Sequence, residues 1–471
     1  MSSDKIRLEA ALSIVDVTTA PRVAGRVTEL VGLVLRATAP GARAGELVIV
    51  ERARGGPLRA EVVGFHGEQV ILLPLGIAAG VGPDSVVRPT GRPFSVRCGP
   101  SLLGRVIDGL GDPIDGLGPL DDGRPEARLE TKLQPRPELK PEPDAKPEAK
   151  PEAKLDWWPV ERAAPDPLLR RRVTTPLPLG IRAIDALATV GEGQRIGLFA
   201  GPGLGKSTLL GQIARYSEAE VIVIGLVGER GREVRDFLET QLDAESRRRA
   251  VCVCATSDAP PLLRLKSALV ATAVAEYFRE QGKRVLLLVD SLTRVARAQR
   301  EVGLAAGEPP ARQGYPPSVF AMLPRLLERS GQSDKGSITA VYAVLTSGDE
   351  SDDPIAEEVR AILDGHIVLS SERGARGQWP AIDPLRSLSR VMDELVDDEQ
   401  RRAAGRVREV LSIYERQRDL VLLGAYKKGT DRATDDALAR VGAVDAFLRQ
   451  GRNERASFAD SRRALLALFT S

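Results

Sequence analysis

The residues best suited to phosphate chemistry lie in RIGLFAGPGLGKSTLL, residues 195–210. An apolar run leads into a glycine-rich stretch, and a lysine and a serine then open a helical pattern. The stretch fits the phosphate-loop pattern G-x-x-x-x-G-K-S/T, with Ala200 in place of the first glycine. We expect Lys206 to contact the β- and γ-phosphates of a nucleotide and Ser207 to bind Mg²⁺. The predicted nucleotide-binding residues of this loop are Gly201, Gly203, Leu204, Gly205, Lys206, Ser207 and Thr208.

Two carboxylates follow aliphatic runs that are typical of buried strands. Glu229 ends the run in VIVIGLVGERGREVRD, residues 221–236, and Asp290 ends the run in RVLLLVDSLTR, residues 284–294. Ligands of open α/β sheets bind at the carboxyl ends of the strands, so both side chains should face the crevice that holds Lys206. There Asp290 would hold the magnesium shell, and Glu229 would orient and polarise the water that attacks the γ-phosphate.

Each carboxylate also has an ordinary structural interpretation. Asp290 alone could cap the following helix, and Glu229 could form an ion pair with Arg230 or Arg232. An exposed ion pair contributes only about 0–1 kcal/mol, which is a weak reason to end a buried strand with a charge. Hydrolysis is therefore the favoured interpretation, and it predicts that a Glu229→Gln variant binds ATP but barely turns it over.

A parallel α/β sheet would bring these residues together. Residues 165–395 alternate strand-like runs, such as RIGLFA, AVCVCA and SITAVYAVL, with helical patterns such as PLLRLKSALVATAVAEYFREQ. This alternation is typical of βαβ units, and we predict a phosphate-loop ATPase domain over this range.

The flanking segments differ from this central domain. Residues 21–98 contain short β-type runs separated by Gly- and Pro-bearing turns, which predicts a small β-barrel or sandwich. Residues 99–164 form a connection, and within it the tract 134–155 repeats Pro-acid-Ala-Lys, which forbids regular structure and suggests a spacer. Residues 396–471 lack β signals and predict a C-terminal helical domain, with Leu438, Val441, Val444 and Leu448 on one helical face. Residues 1–20 are left as an N-terminal segment.

Composition narrows the class of protein. The 471 residues include 67 Lys and Arg against 65 Asp and Glu, a net charge of +2 that gives no global basic surface for nucleic acid. Aromatic residues make up only 4%, which disfavours a base-stacking platform. No apolar run reaches the roughly eighteen residues of a membrane helix, and the N-terminus lacks a signal-peptide pattern, so a cytoplasmic protein is expected.

The cysteines and histidines are few. Cys98, Cys252 and Cys254 do not make a disulfide framework, and with only His66 and His366 beside them a zinc site is disfavoured. We expect the cysteines to serve in packing.

The motifs and their order resemble the type III secretion ATPases, the catalytic subunits of bacterial flagellar and injectisome export machines. These are related to the catalytic β subunit of rotary ATP synthase. Besides the motifs above, the matching stretches are GEPPARQGYPPSVFAMLPRLLER, DPIAEEVRAILDGHIVLS, PAIDPLRSLSRVM and LGAYKKGTDRATDDAL. The resemblance omits residues 1–20 and 134–155. It implies an α/β fold: a RecA-like P-loop NTPase core with an N-terminal small β-barrel and a C-terminal α-helical domain.

The resemblance also assigns roles to single residues. Glu229 matches the family's catalytic glutamate, and Arg230 matches the neighbouring arginine of the same Gly-Glu-Arg triplet, so the resemblance implies a catalytic role for Arg230 as well. Trp379, in GQWPAID, stands where the family usually has a tyrosine that packs on adenine, and an indole can serve the same purpose. Arg390, in SLSRVM, aligns with the arginine that reaches into the neighbouring subunit's active site. Such an arginine finger is worth roughly 10³–10⁵ in rate.

Partners are implied as well. One chain carries both the glutamate and the finger arginine, so a homo-hexamer could complete all of its own sites. The family works with ATP and Mg²⁺ and with a stator protein, a central coiled-coil stalk protein, secreted substrates and their chaperones. It associates peripherally with the inner-membrane export gate and not with nucleic acid. Hydrolysis would release and unfold the secreted substrates.

Three alternatives remain open at this point. An RNA-translocating hexamer would need an aromatic, basic face on residues 21–98, whose only aromatic residues are Phe65 and Phe94. A non-catalytic ring scaffold would typically lack the glutamate that this chain keeps as Glu229. A proton-driven synthase subunit is a third, although GYPPSVFAMLPRLLER resembles the secretion branch. The sequence does not decide between a flagellar and an injectisome system.

Overall fold

The structure is a computed structural model that describes residues 23–120, 155–346 and 353–470. The predicted N-terminal segment 1–20 and residues 134–154 of the predicted spacer lie outside the described residues. The chain divides into two compact units, one that runs up to Phe94 and includes Ala305–Gly307, and one that comprises Ser95–Leu304 and Glu308 onward.

The first unit is a closed antiparallel barrel, which confirms the predicted small β-barrel. Its strands follow the order β1-β2-β5-β4-β3-β6 and close through pairing of β1 with β6. Alternate residues point inward, and Leu35, Val48 and Leu72 are fully buried in the barrel core. This alternation is the period of two that the sequence shows. The strands are β1 Gly25–Val31, β2 Val34–Ala37, β3 Glu46–Val50, β4 Leu58–His66, β5 Gln69–Pro74 and β6 Val86–Pro93.

The second unit is built on a mostly parallel sheet of nine strands, in the order β17-β16-β10-β15-β13-β11-β12-β8, with β14 paired to β15. Among the strands of this sheet in the described residues, only β14 and β17 run antiparallel to their neighbours. The strands are β8 Val106–Asp108, β10 Arg195–Ala200, β11 Val221–Glu229, β12 Ala250–Thr256, β13 Arg284–Asp290, β14 Gly331–Gln332, β15 Ser337–Leu345, β16 Gly365–Val368 and β17 Leu388–Ser389. A separate ribbon pairs β7 Ser95–Cys98 with β9 Asp156–Pro159. The aliphatic runs are buried because helices cover both faces of a parallel sheet.

Ten α-helices lie among these strands in the described residues. They are α1 Arg182–Leu187, α2 Lys206–Tyr216, α3 Gly231–Asp236, α4 Ala244–Arg248, α5 Pro261–Glu280, α6 Leu292–Ala305, α7 Pro317–Leu327, α8 Pro354–Ile362, α9 Ser371–Ala375 and α10 Met392–Leu395. The longest, α5, begins with Pro261 at its first turn, where a missing N–H costs nothing. It is buried along most of its length against β11, β12 and β13.

Three further helices form the C-terminal helical domain that the sequence predicts: α11 Asp398–Leu422, α12 Arg432–Leu448 and α13 Phe458–Ala467. Each begins at a capping residue whose side chain accepts a backbone N–H bond, at Asp397, Asp431 and Ser457. On α12, Val444 and Leu448 are buried as predicted, whereas Leu438 and Val441 are half-buried.

Hydrogen bonds join the C-terminal helices to α1. The backbone N–H of Arg182 donates to the side chain of Gln450 at 2.7 Å, and its guanidinium donates to the carbonyl of Phe447 at 3.0 Å. The side chain of Gln400 donates to the carbonyl of Asp185 at 3.2 Å. Buried residues of the nine-stranded sheet and of the C-terminal helices also belong to one hydrophobic core.

The three cysteines are buried as free thiols, and burial raises the pKa of Cys252 to about 12. Across the described ranges, no group of three or more His, Cys, Asp or Glu side chains could hold a metal ion. The same residues contain no helix that is both long and apolar enough to cross a bilayer.

Candidate active site

The phosphate loop lies between β10 and α2, as its sequence predicts. Gly203 and Gly205 adopt positive φ angles of 76° and 79°, which only glycine takes without strain. Gly205 is the residue that precedes α2, and Lys206 is the first residue of the helix. Because the first N–H groups of a helix have no partners within it, this end of α2 suits an anion.

Lys206 lies between the two predicted carboxylates. Its ammonium group forms an ion pair with Asp290 and lies 3.6 Å from Oε1 of Glu229. Asp290 ends β13 and is 2% exposed, and Glu229 ends the neighbouring strand β11 and is 7% exposed. The structure thus brings together the three side chains that the sequence assigned to one crevice.

A local irregularity accompanies Glu229. The parallel register between β11 and β12 shifts between Val227 and Glu229. Such bulges re-aim a side chain, and they are over-represented next to active sites. The Oε1 atom of Glu229 is buried and has no hydrogen-bond partner among the described residues. An unsatisfied buried carboxylate oxygen is costly unless a ligand or water uses it.

Arg294, on the first turns of α6, is a residue of this crevice that the sequence analysis missed. Its Nη2 atom donates to Oε2 of Glu229 at 3.1 Å. The sequence could have indicated it, because Arg294 follows Asp290 by four residues and therefore lies at the same edge of the sheet. It leaves Oε1, the other carboxylate oxygen of Glu229, without a hydrogen bond.

The surroundings of Glu229 shift its proton affinity. Burial raises the pKa of Glu229 to about 7, and the carboxyl groups of Glu233 and Asp290 act in the same direction. Lys206 and Arg294 oppose this rise through their positive charges. A carboxyl group with a pKa near neutral pH is suited to accept a proton from water.

The alternative ion pairs of Glu229 with Arg230 or Arg232 are wrong. Arg230 lies 3.3 Å from Glu233, and Arg232 lies 3.5 Å from Asp236, each on α3 or at its start. Both arginine side chains point into solvent, with exposed fractions of 78% and 90%. Arg230, which the resemblance assigned to catalysis, therefore lies outside the group around Lys206.

Ser207 and Thr208 occupy the first turn of α2, with Ser207 exposed and Thr208 half-buried. The hydroxyl of Ser207 and the carboxylate of Asp290 are oxygen ligands of the kind that Mg²⁺ prefers. With two protein ligands, most coordination positions of the ion would be left for phosphate and water oxygens, which is the usual pattern for nucleotide-bound Mg²⁺. These residues fit the ion, provided that Lys206 releases Asp290 and turns to the phosphates.

Trp379 packs against the phosphate loop. A Cβ atom at position 205 would lie 3.1 Å from Cζ3 of the indole, and one at Gly374 would lie 3.4 Å from its Cη2 and 3.6 Å from the side chain of Leu204. The indole is 43% exposed, so one part of the ring is available to a ligand. This places the predicted adenine contact next to the predicted phosphate contacts.

Arg390 is exposed at the β17 edge of the sheet. Its guanidinium donates to the carbonyl of Arg360 at 3.4 Å, and its backbone N–H donates to the carbonyl of Asp364 at 2.9 Å. Among the described contacts, none joins it to Lys206, Glu229 or Asp290. Within one chain, the predicted finger and the crevice are therefore separate.

Comparisons with known proteins agree along the chain. Residues 180–389 match the family described as "ATP synthase alpha/beta family, nucleotide-binding domain". Residues 27–91 match the beta-barrel domain of the same family. The T3SS EscN ATPase C-terminal domain matches residues 396–467. The Type 3 secretion system ATPase of Xanthomonas euvesicatoria is 48% identical over 450 residues, which are 95% of this chain and 93% of that protein. The chain belongs to the type III secretion ATPases.

Relatives of this ATPase come from both kinds of export system. The Flagellum-specific ATP synthase of Bacillus subtilis strain 168 is 43% identical over 98% of this chain and 99% of its own length. Among solved structures, the assembled ATPase EscN of the enteropathogenic Escherichia coli type III secretion system superposes with a TM-score of 0.82. That protein is 41% identical, and the match covers 94% of this chain and 99% of EscN. The fold and the ATPase class predicted from the sequence are confirmed.

Proposed function

We propose that this ATPase hydrolyses magnesium-bound ATP in the crevice formed by Lys206, Glu229 and Asp290, and that hydrolysis drives type III protein export. The observation that carries the proposal is the buried Oε1 atom of Glu229, which has no hydrogen-bond partner in the described chain and lies 3.6 Å from the Lys206 ammonium. Arg294 occupies the other oxygen and fixes the carboxylate. Oε1 can then accept a hydrogen bond from the attacking water.

The remaining side chains bind and orient the nucleotide. The backbone N–H groups of the phosphate loop and Lys206 would hold the β- and γ-phosphates, and Trp379 would pack on the adenine. Ser207 and Asp290 would hold Mg²⁺, which neutralises charge on the phosphates. Arg230 would turn from Glu233 toward the γ-phosphate when nucleotide is bound.

The site also requires a second copy of the chain. Arg390 contacts none of the three crevice residues in its own chain, yet a phosphoryl-transfer site of this kind gains from an arginine supplied in trans. A head-to-tail ring would bring Arg390 of one copy to the crevice of the next. We propose a homo-hexamer, in line with the assembled state in which EscN was solved.

The proposed partners follow from this assignment. EscN was also solved in complex with its central stalk EscO, and it is 40% identical to this chain in that structure, with a TM-score of 0.80. We propose that this ATPase likewise surrounds a central stalk protein and acts with a stator protein and substrate–chaperone pairs. It would do so at the cytoplasmic side of an export gate, peripherally bound to the inner membrane.

A phosphate-release assay tests the catalytic assignment. Glu229→Gln keeps the shape of the side chain but cannot accept the proton, so kcat should fall about 10²–10⁴-fold while ATP binding persists. The matched control is Glu239→Gln, which removes a carboxylate from a surface pair with Arg235 and should leave both unchanged. Wild-type turnover in Glu229→Gln would overturn the assignment. A wild-type protein that binds ATP without releasing phosphate would instead support a non-catalytic scaffold.

A further inference from the structure

A short segment joins the phosphate loop to the C-terminal helices. We define the tryptophan segment as residues 370–380, which contains α9 and Trp379. Near its C-terminal end the indole of Trp379 packs on Gly205 of the phosphate loop. The segment also contacts the C-terminal domain: Glu372 contacts α11, Arg373 contacts α12, and the backbone of Trp379 contacts the turn that follows α12. A movement of those helices would therefore displace the tryptophan segment and change its packing against the phosphate loop.

Arg373 is the buried centre of this segment. It is 8% exposed, and its Nη1 atom donates to Oε1 of Gln378 at 3.2 Å. The backbone N–H of Gln378 donates back to the carbonyl of Arg373 at 3.0 Å. Gln378 is itself 6% exposed and directly precedes Trp379. Arg373 thereby fixes Gln378, the residue next to the one that carries the indole.

The charge of Arg373 is balanced from the C-terminal domain. Nη1 of Arg373 lies 3.6 Å from Oδ1 of Asp445, which is on α12 and 26% exposed. A buried guanidinium that loses its carboxylate is left with an uncompensated charge, which destabilises its position strongly. The placement of Arg373 therefore depends on a residue of α12 that lies outside the nucleotide crevice.

Two further contacts run in parallel. The backbone N–H of Gln450, in the turn after α12, donates to the carbonyl of Trp379 at 2.9 Å. Glu372, at the start of α9, accepts hydrogen bonds from Arg376 and from Arg418 of α11. Each is a contact between the tryptophan segment and a different part of the C-terminal domain. The contact between Arg373 and Asp445 differs from these two because the Arg373 side chain is both buried and charged.

We propose that Arg373 is a positioning residue for nucleotide binding, which holds Trp379 against the phosphate loop and takes its own position from Asp445 on α12. The affinity for nucleotide then depends on the placement of the C-terminal helices, and a partner that moves α12 would change that affinity. The inference rests on the proposed contact between Trp379 and the adenine.

Asp445→Asn tests the proposal because it removes the charge partner and spares the nucleotide crevice. We expect the KM for ATP of the assembled enzyme to rise roughly three- to tenfold, with kcat changed less than about twofold. Asp445→Glu, which keeps the charge, should restore the KM. The matched control is Asp436→Asn on the same helix, whose carboxylate pairs at the surface with Arg440 and Arg406. It should leave the KM unchanged.

Two outcomes would overturn the proposal, and they can be told apart. If Trp379→Ala raises the KM but Asp445→Asn lowers only the melting temperature, Arg373 has a merely structural role. If Trp379→Ala leaves the KM unchanged, the assignment of Trp379 to the adenine is wrong, and so is the positioning role of Arg373 that depends on it. The double variant Trp379→Ala, Asp445→Asn should have no higher KM than Trp379→Ala alone, because Arg373 acts through the indole.

Discussion

Single residues explain why the crevice is arranged around Lys206. Its ammonium group neutralises Asp290 and lies close to Glu229, two carboxylates that end neighbouring buried strands. Without such a cation, two buried negative charges in one crevice would repel each other and be strongly desolvated. In the proposed complex, an arriving triphosphate would offer Lys206 a stronger partner and would leave Asp290 for the metal ion. We therefore expect the ion pair between Lys206 and Asp290 to be replaced, when nucleotide binds, by one between Lys206 and the phosphates.

Gly205 provides a residue-scale prediction. Gly205→Ala should lower nucleotide affinity, because the backbone has a φ of 79° and the new Cβ atom would lie 3.1 Å from the Trp379 ring. Gly282→Ala is the control: it has the same φ of 79° and no atom within 4 Å of the new Cβ. Both variants should lose about 1–2 kcal/mol of stability from backbone strain. Calorimetric titration with ADP separates them, and an equal loss of affinity in both would contradict the packing role of Trp379.

Among the elements, the short helix α1 shows how the C-terminal domain is held in place. Asp185 on α1 is 1% exposed, and its two carboxylate oxygens accept backbone N–H bonds from Leu179 and Gly180, both at 2.9 Å. Burial raises the pKa of Asp185 from 3.8 to about 7, although these two hydrogen bonds oppose the rise. The backbone of the same residue accepts a bond from Gln400 of α11.

A pH dependence of stability follows for α1. The unfolded chain releases the Asp185 proton at its ordinary pKa of 3.8, and the folded chain releases it at about 7. The protonated form therefore stabilises the folded state fully below the unfolded pKa, and this contribution is lost as the pH rises through the folded pKa. Asp185→Asn removes this titration and also one acceptor, which should cost about 1–3 kcal/mol. Thermal unfolding between those two pKa values should show the advantage of the natural chain shrinking with pH; a constant difference would refute the assignment.

Local sequence patterns predicted the strands and the loop that carry the site. They did not predict the short strands, whose formation depends on pairing with residues far away in the sequence. The phosphate loop and the strands that end at Glu229 and Asp290 have clear glycine or aliphatic patterns, and the structure has them as predicted. Strands β8, β16 and β17 are two to four residues long, too short for a periodic signal. β8 comes from the range 99–164 that the sequence left as a connection. It joins the sheet by pairing with β12, where Val106 lies opposite Cys252, 146 residues further along the chain.

For the whole molecule, the order of strands separates Arg390, the predicted finger, from the two carboxylates of the crevice. Arg390 follows β17 at one edge of the sheet, whereas Asp290 and Glu229 end β13 and β11, the fifth and sixth strands counted from that edge. Under the proposed ring assembly, a single copy would contain all the chemical groups but not the complete site. Turnover should therefore depend on assembly, and lysine and arginine defects in different copies should complement each other.

Mixing two inactive variants tests this complementation. Arg390→Ala and Lys206→Ala should each abolish turnover alone. In equal mixtures about one quarter of the interfaces would join an intact crevice to an intact finger, and activity should recover in proportion. Phosphate release after co-assembly gives the measurement. Arg390→Ala protein that hydrolyses ATP at high dilution as well as the intact ring does would show that the finger assignment is wrong.

The contact between the Trp379 ring and the phosphate loop gives this protein a native optical probe. The chain has three tryptophans, and the other two, Trp157 and Trp158, lie on β9. Replacing those two with phenylalanine would leave emission from position 379 alone. Its intensity and wavelength should then report the arrival and departure of nucleotide in real time, on unlabelled protein and within working rings.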